Sequence, residues 1–535
     1  MASPTVANAC SVSEPTTLRQ DADIESSTSA ASTIDIEHVP VNDDPRQWSP
    51  ARKTTTLCIV SLATMVSALA SNIQNPSNSA IEADLHATSS QISWTLAAFL
   101  IIQGNFPLIW SAASEIKGRK PVYLVASALF VVGSVALALS NTIEVMIGMR
   151  ALQAAGSCAA MAISAATLAD IYDTHERGST MGIFFAAPLL GPALGPILGG
   201  SLSQALGWRA CFYFLLVCSA VVFLSFLILF KDTYRRERSL TYCSALQRLL
   251  ASKERVRSPN ESTIAGNESS KDQTPVKDAE KQLQSPDVPD NISAVTSTPG
   301  LDDVKLSFKD INPFPPYFRI LSRKNNVLIL IANGLIFGFS YSLSYTCSLT
   351  LANRYNYDAF STGLVLLCLG IGSIAGSVIG GRWSDRVLAK MMEANGGKCY
   401  AEMRLESSKL AMLWAPLSVI GYAWACEKQA NVAVICVMLV LIGFTSIWMY
   451  TCTLAYLVDA NPGRSCSAVA ANSSFRGSMA FVSIMVAVPL QNALGDGGLY
   501  SAWAGILVVT ELLVILVLRK GESWRKESEE HEFTC

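Results

Sequence analysis

Residues 110–120 read Trp110-Ser111-Ala112-Ala113-Ser114-Glu115-Ile116-Lys117-Gly118-Arg119-Lys120, and residues 380–386 read Gly380-Gly381-Arg382-Trp383-Ser384-Asp385-Arg386. Each stretch follows a long apolar run. Each sets a serine and an acid, Ser114-Glu115 and Ser384-Asp385, ahead of basic residues. One loop pattern used twice, far apart in the chain, is an internal repeat and divides the protein into two similar halves. Two halves leave a gap between them, and such a gap suits alternating access.

The composition agrees with a chain that needs lipid. Of 535 residues, 50% are hydrophobic and 15% charged, with a mean hydropathy of +0.34. Soluble domains carry about 25% charged residues. A soluble enzyme, a DNA-binding protein and a secreted disulfide scaffold are all disfavoured. The net charge of −2 supplies no basic field for nucleic acid. The 14 cysteines form no C-x-x-C pair, and many, such as Cys58, Cys158, Cys218, Cys368 and Cys436, lie inside apolar runs as small fillers.

Long uncharged stretches recur at 54–71, 91–112, 121–140, 145–168, 180–202, 210–230, 326–345, 361–380, 410–426, 432–457, 468–489 and 501–518. At about 20 residues per crossing, they predict an all-α membrane protein of twelve transmembrane helices in two six-helix halves. Lys and Arg collect on one side of these spans, from Arg52 and Lys53 through Lys117, Arg119, Lys120 and Arg177 to Arg382, Lys390, Arg404, Arg464 and Lys526. The other side holds Arg209, Arg354 and Lys428. The richer side is predicted to be cytoplasmic, and an even number of spans puts both termini there. The organisation expected is a disordered cytoplasmic tail (1–50, with no signal-peptide core), a first half (51–230), a largely disordered cytoplasmic linker (231–325), a second half (326–518) and a cytoplasmic C-tail (519–535). Glycosylation-like triplets at Asn260, Asn267 and Asn291 are read as chance on a cytoplasmic linker.

Several further patterns stand beside the repeat. Gln103-Gly104, Pro107 and Trp110 precede the first loop copy. Arg150-Ala-Leu-Gln153-Ala-Ala-Gly156 opens the fourth span, and Asp170 leads to Arg177-Gly178 and Gly182. Gly191-Pro192, Gly195-Pro196 and Gly199-Gly200 run through the fifth span towards Trp208-Arg209, and Val458-Asp459, Pro462-Gly463-Arg464, Asn472 and Arg476 come late. Together these make the sequence resemble the major facilitator superfamily, and within it the fungal twelve-spanner drug:proton antiporters, over nearly the whole chain outside the tails and linker. The resemblance implies the major facilitator fold, proton coupling through an arginine placed like Arg150, and export, since the helix-five motif marks antiporters. Two positions depart from the family pattern: Glu115 stands where Asp is usual, and Lys231-Asp232-Thr233 where Pro-Glu-Thr is frequent.

The residues have their own physics. A guanidinium inside a membrane costs several kcal/mol unless it is paired or wet. Arg150 is therefore expected to face a central cavity and tune a proton or an anion, or else to pair with backbone carbonyls. Arg476 poses the same choice, with snorkelling as its alternative. Glu511, an acid inside the last span, completes the proton-coupling candidates; its alternative is an acid held protonated against lipid. Glu115, Arg119, Lys120, Asp170, Asp385 and Arg386 read as a cytoplasmic gate, with Arg119 pairing Asp170 and Glu115 reaching a basic group across the halves. Gly191, Gly195 and Gly199 form a smooth ridge for close helix approach, accompanied by Gly200, while Pro192 and Pro196 remove backbone donors. Gln103, Asn105, Asn333, Tyr341, Tyr345 and Trp448 are the cavity candidates for an amphipathic organic molecule.

The function expected is a proton-coupled exporter of small organic molecules. The substrate is an endogenous secondary metabolite or organic acid, such as itaconate or a glycolipid, with xenobiotic resistance as the alternative and nutrient import behind it. A membrane enzyme is disfavoured because His38, His86, His175 and His531 all lie outside the deep spans, so no metal box forms. No G-x-x-x-x-G-K-[ST] loop is present for ATP. No cofactor or metal is expected. The partners expected are the lipid bilayer, substrate and protons, with a monomer as the working unit. The plasma membrane is the expected address and the vacuolar membrane the alternative.

Overall fold

In hydrocarbon a peptide group finds no water to bond, so a chain of this composition satisfies its backbone within helices. The computed structural model describes residues 41, 43–172, 174–235, 314–396, 400–461 and 464–534, and among them it contains helices and no strand. Most of the expected N-tail and linker lies outside the described residues, together with Asn260, Asn267, Asn291, Pro462, Gly463 and the surroundings of Arg177, Gly178 and Gly182.

The first half comprises α1 (Pro50–Asn72), the short α2 (Asn78–Asp84), α3 (Ser89–Asn105), α4 (Pro107–Lys117), α5 (Arg119–Ala138), α6 (Ile143–Ile171), α7 (Thr174–Leu206) and α8 (Arg209–Ile228). After them come α9 (Phe314–Ser322), α10 (Lys324–Arg354), α11 (Ala359–Ala394), α12 (Met403–Glu406), α13 (Lys409–Glu427), α14 (Val432–Asp459) and α15 (Ser465–Thr534). Nine of the twelve predicted spans fall inside one of these helices; 91–112 crosses the bend from α3 into α4, and 121–140 and 210–230 overrun the ends of α5 and α8 by two residues each. Among the described residues, nine helices are long and apolar enough to cross a membrane, and α3 with α4, bent by 42°, makes a tenth.

Local chemistry sets the boundaries. The Thr88 hydroxyl accepts from the Gln91 amide at 3.3 Å, and the Gln91 side chain accepts from the Thr88 amide at 2.9 Å, a reciprocal cap that starts α3. Pro107 cannot donate to the turn before it, and the bend between α3 and α4 falls there. Gly118 takes φ 90° and parts α4 from α5. At 70 residues α15 would run about 105 Å if straight, over three times a hydrocarbon core. Gly495, at φ 72°, breaks it into two arms. The second arm carries on through residues 519–534, so the expected C-tail is helical there and continuous with the last span.

Two buried apolar clusters organise the bundle. One runs from Leu57 to Phe230 and takes in Tyr345, Ala480, Ile484 and Val488 from later in the chain. The other runs from Ile320 to Val517. Outward faces are apolar as well. Val217, Val221, Leu224 and Ile228 on α8, and Leu413, Leu417, Ile420 and Trp424 on α13, are all exposed at helical spacing. Stripes of that kind suit lipid contact.

Glycine seams join the earlier and later helices. Gly191, Gly195 and Gly199 lie against Ala68 and Asn72 of α1 and Ile73 just after it. On the other side of α7, Ala193, Pro196 and Gly200 meet Gly370, Gly363 and Ala359 of α11. The expected ridge is therefore a two-sided seam with α7 between α1 and α11. A second seam crosses α3 and α15 at Gly104 and Gly477, where a methyl added to Gly104 would stand 2.6 Å from the Gly477 Cα and 2.8 Å from the Ser473 carbonyl. Replacing Gly104 with Leu should lower the melting temperature in detergent far more than the same change at Gly148, which has open space around it. Equal losses at the two positions would refute the seam's importance.

Candidate functional site

A chain of polar side chains runs through α10, α14 and α15 and reaches the first set of helices at its rim. The Thr453 hydroxyl donates to Asn333 Oδ1 at 2.5 Å, and Asn333 Nδ2 donates to Asn472 Oδ1 at 3.0 Å. Asn472 Nδ2 reaches the Tyr450 hydroxyl at 3.4 Å, which also accepts from Arg476 Nη1 at 2.7 Å. The Arg476 guanidinium lies 3.9 Å from the Phe337 ring centre and 4.7 Å from that of Tyr450. Phe337 packs on Tyr341, whose hydroxyl donates to Ser71 of α1 at 3.0 Å. Gln103 approaches Ser67 at 3.5 Å. Asn105 accepts from Ser474 at 2.6 Å and reaches Ser478 at 3.5 Å, tying α3 to α15 beside the Gly104 seam. Gln103, Asn105, Phe337, Tyr341, Tyr450 and Arg476 are half-buried, which marks the lining of the gap.

Two of the cavity candidates sit elsewhere. Tyr345 is fully buried and binds Ser93 at 3.1 Å, at the far end of α3. Trp448 packs against Gly380 and lies 6.4 Å from Trp383, within the α11–α14 contact.

Arg150 is fully buried. Its Nη1 donates to the Ala70 carbonyl at 3.0 Å and to Gln153 Oε1 at 2.8 Å, and Gln153 in turn donates to Ser134 at 2.9 Å. Its guanidinium is 4.9 Å from the Phe99 ring centre and 5.5 Å from that of Phe212. Contacts of this kind give about 2 kcal/mol each when desolvated. Its Nε and Nη2 have no hydrogen-bond partner among the described residues. Ala70 is in the last turn of α1, where carbonyls lack intrahelical donors, so Arg150 caps α1 with a cation at its negative end. Of the expected alternatives, this geometry is the backbone pair. Glu511 lies half-buried on the second arm of α15, in line with the buried Ala504, Leu507 and Val514, and its Oε1 is buried without a hydrogen-bond partner among the described residues.

At the end of the bundle that carries Arg119 and Lys120, here termed the basic end, the first half is latched to itself. Arg119 Nε pairs with Asp170 Oδ2 at 3.3 Å, as expected, and Nη1 donates to the Ser114 hydroxyl at 2.6 Å. Three residues that the sequence reading left without a role complete the latch. Asp232 Oδ1 accepts from the Arg119 amide at 3.1 Å, Thr233 donates to Asp170 at 3.2 Å, and Tyr234 lies under the Arg119 guanidinium at 5.2 Å. Lys120 binds the Leu227 carbonyl at 3.1 Å. In the second copy Arg404 of α12 takes the place anticipated for Arg386. It pairs with Asp459 at 2.8 Å and Asp385 at 3.3 Å, while Arg386 is exposed. The equivalence of Asp170 and Asp459, each near the end of a long helix before a loop, was the available signal. At the opposite end the bonds run between halves: Asn75 to Ser344 at 3.0 Å, Ser93 to Tyr345 at 3.1 Å and Gln204 to Asp358 at 2.6 Å. Asp358 also caps α11 by accepting from the Ser361 amide at 3.0 Å, and the hydrogen bonds from Ser361 hold its carboxyl below the usual range.

Comparison with known proteins agrees with this architecture. The family profile described as Major Facilitator Superfamily matches residues 60–395. The chain is 26% identical over 565 residues to the MFS antiporter QDR3 of Candida albicans, covering 91% of this chain and 80% of that protein. It is 26% identical over 547 residues to Citrate exporter 1 of Aspergillus niger, covering 94% and 98%. A D-xylose-proton symporter crystal structure superposes with a TM-score of 0.59 at 12% identity, covering 86% of this chain and 97% of that one, a likeness of fold. The chain belongs to the Major Facilitator Superfamily. It is a multi-pass membrane transporter, not an enzyme.

The latch is open to direct test. Asp232→Ala removes the acceptor for the Arg119 amide and should cost about 1–3 kcal/mol, read as a lower unfolding midpoint, with Asp232→Asn falling between it and the parent. A midpoint unchanged in Asp232→Ala would show that Asp232 does not hold the latch.

Proposed function

We propose that the protein is a proton-coupled efflux transporter that exports small organic molecules by alternating access. The observation that carries this reading is the polar gap between two helix sets that are latched differently at their two ends. Splitting α15 at Gly495 and counting α7 brings the spans to twelve, in halves 51–230 and 326–518. With the basic end cytoplasmic, the outer end is the one bridged by Ser71–Tyr341, Asn75–Ser344 and Gln204–Asp358. The arrangement corresponds to a state closed to the outside.

Arg150 couples by position. It holds the last turn of α1, and Ser71 and Asn75, just beyond Ala70, make two of the outer bridges. Whatever draws the guanidinium off Ala70 loosens that closure. Arg476 stands beside the substrate path. Glu511 is a half-buried carboxyl able to carry a proton, its Oε1 enclosed without a hydrogen-bond partner among the described residues. Glu115, Arg119, Lys120, Asp170, Asp385 and Arg386 belong to the cytoplasmic gate, joined by Arg404 and Asp459. Export is favoured by the glycine–proline seam of α7 and by relatives named as an antiporter and an exporter. The substrate is an endogenous secondary metabolite or organic acid, with xenobiotics as the second choice. The working unit is a monomer in the plasma membrane with both termini in the cytoplasm.

The test begins with the compounds outside cells that have or lack the protein. The one most reduced in its absence is offered to inside-out vesicles with an acidic lumen. Accumulation should follow the gradient and vanish with an uncoupler; transport that ignores both would refute proton coupling. Arg150→Ala should reach the membrane and lose gradient-driven accumulation, and normal accumulation in that variant would remove Arg150 from coupling.

A further inference from the structure

The charge around the gap is one-sided. Helices α1, α3 and α10 contain no acidic residue at all. Helix α14 has none before Asp459, and the first arm of α15 none before Gly495. Arg476 is the cation of this lining, and among the described residues no carboxylate lies within ion-pairing distance of it. An uncompensated guanidinium at membrane depth is expensive, so a ligand that brings the counter-charge gains what the empty site lacks.

The hydrogen-bond pattern specifies the same chemistry. Arg476 Nε is buried without an acceptor. The Tyr450 hydroxyl accepts from both Arg476 and Asn472, which leaves its own proton free to donate. Two donors without acceptors therefore sit side by side. Tyr450 is held by Asn472, Asn333 and Thr453, and the guanidinium plane is held by Phe337. A planar guanidinium fork matches a carboxylate in a bidentate pair. Phe337 and Tyr341, with ring centres 4.7 Å apart, offer an apolar surface next to it.

We infer that Arg476 and Tyr450 form a carboxylate-recognition site, and that the exported molecule is an organic anion with an apolar body lying on Phe337 and Tyr341. This rests on the efflux reading and narrows its substrate class. It assigns Arg476 to substrate binding instead of proton transfer. Amines and polyamines are disfavoured because no acid in the lining would receive them.

The experiment is ligand protection of the purified full-length protein against thermal unfolding, without any gradient. The probes are benzoate, salicylate and 4-phenylbutyrate, each beside its matched amide and amine. The acids should protect, and the amides and amines should not. Arg476→Gln should weaken the acids by about tenfold or more, Arg476→Lys should keep part of the preference, and Tyr450→Phe should weaken it several-fold. Arg476→Glu should turn the preference towards amines, a change that a purely structural role would not produce. If Arg476→Gln does not fold, Tyr450→Phe and Arg476→Lys carry the comparison. The inference is overturned if no acid protects the parent protein, if amides or amines protect it equally, or if Arg476→Gln keeps the acid preference. Because no gradient is used, failure here leaves the vesicle result standing, and failure of gradient-driven transport leaves this preference standing.

Discussion

Helices in hydrocarbon gain nothing by hiding apolar side chains from one another, because lipid is as apolar as leucine. Their association depends on close backbone approach. In this protein that approach is made where side chains are missing. Gly191, Gly195 and Gly199 admit α1, Gly363 and Gly370 bring α11 against α7, and Gly104 meets Gly477 where α3 crosses α15. These contacts fix the width of the gap and so the placement of the polar chain from Thr453 to Arg476.

With packing delegated to glycine, polar groups are free for other work, and they divide by depth. At the basic end, ion pairs bind each helix set to itself, through Arg119 with Asp170 and Arg404 with Asp459. At the opposite end, hydrogen bonds cross between the sets, two of them neutral and the third from Gln204 to the Asp358 carboxylate. Neutral bonds net about 1 kcal/mol each and can be exchanged for water at low cost, which suits an opening surface. Arg150 ties the packing to this bridged end, since the turn it caps leads directly into Ser71 and Asn75.

Most of this fold was legible from composition and periodicity, because lipid leaves helices as the available solution and long uncharged runs announce them. The Arg119–Asp170 pair was legible from the loop motif, and the Gly191–Gly199 ridge from its four-residue spacing. What escaped was whatever depended on which way a helix turns. Arg150 was expected in the cavity and is enclosed by Phe99, Phe212 and the end of α1. Trp448 faces Gly380, because a hydropathy window averages over the helix face. Arg404 was missed because it reaches Asp385 from a short separate helix, a relation that spacing along the chain does not encode. The Asp232–Thr233 latch was visible only as a departure from a pattern, and the structure shows it supplying an acceptor and a donor to the same loop.

That latch has a neighbour. Asp43, ahead of the first span, is gripped by Lys231 and by Arg235, which flank Asp232, Thr233 and Tyr234. The segment leading into the bundle and the segment leaving its sixth span thus share one fastening, a step from the Arg119 pair. Chain segments on either side of the first half are tied to each other and, through Asp232, to the loop that holds the Arg119–Asp170 pair.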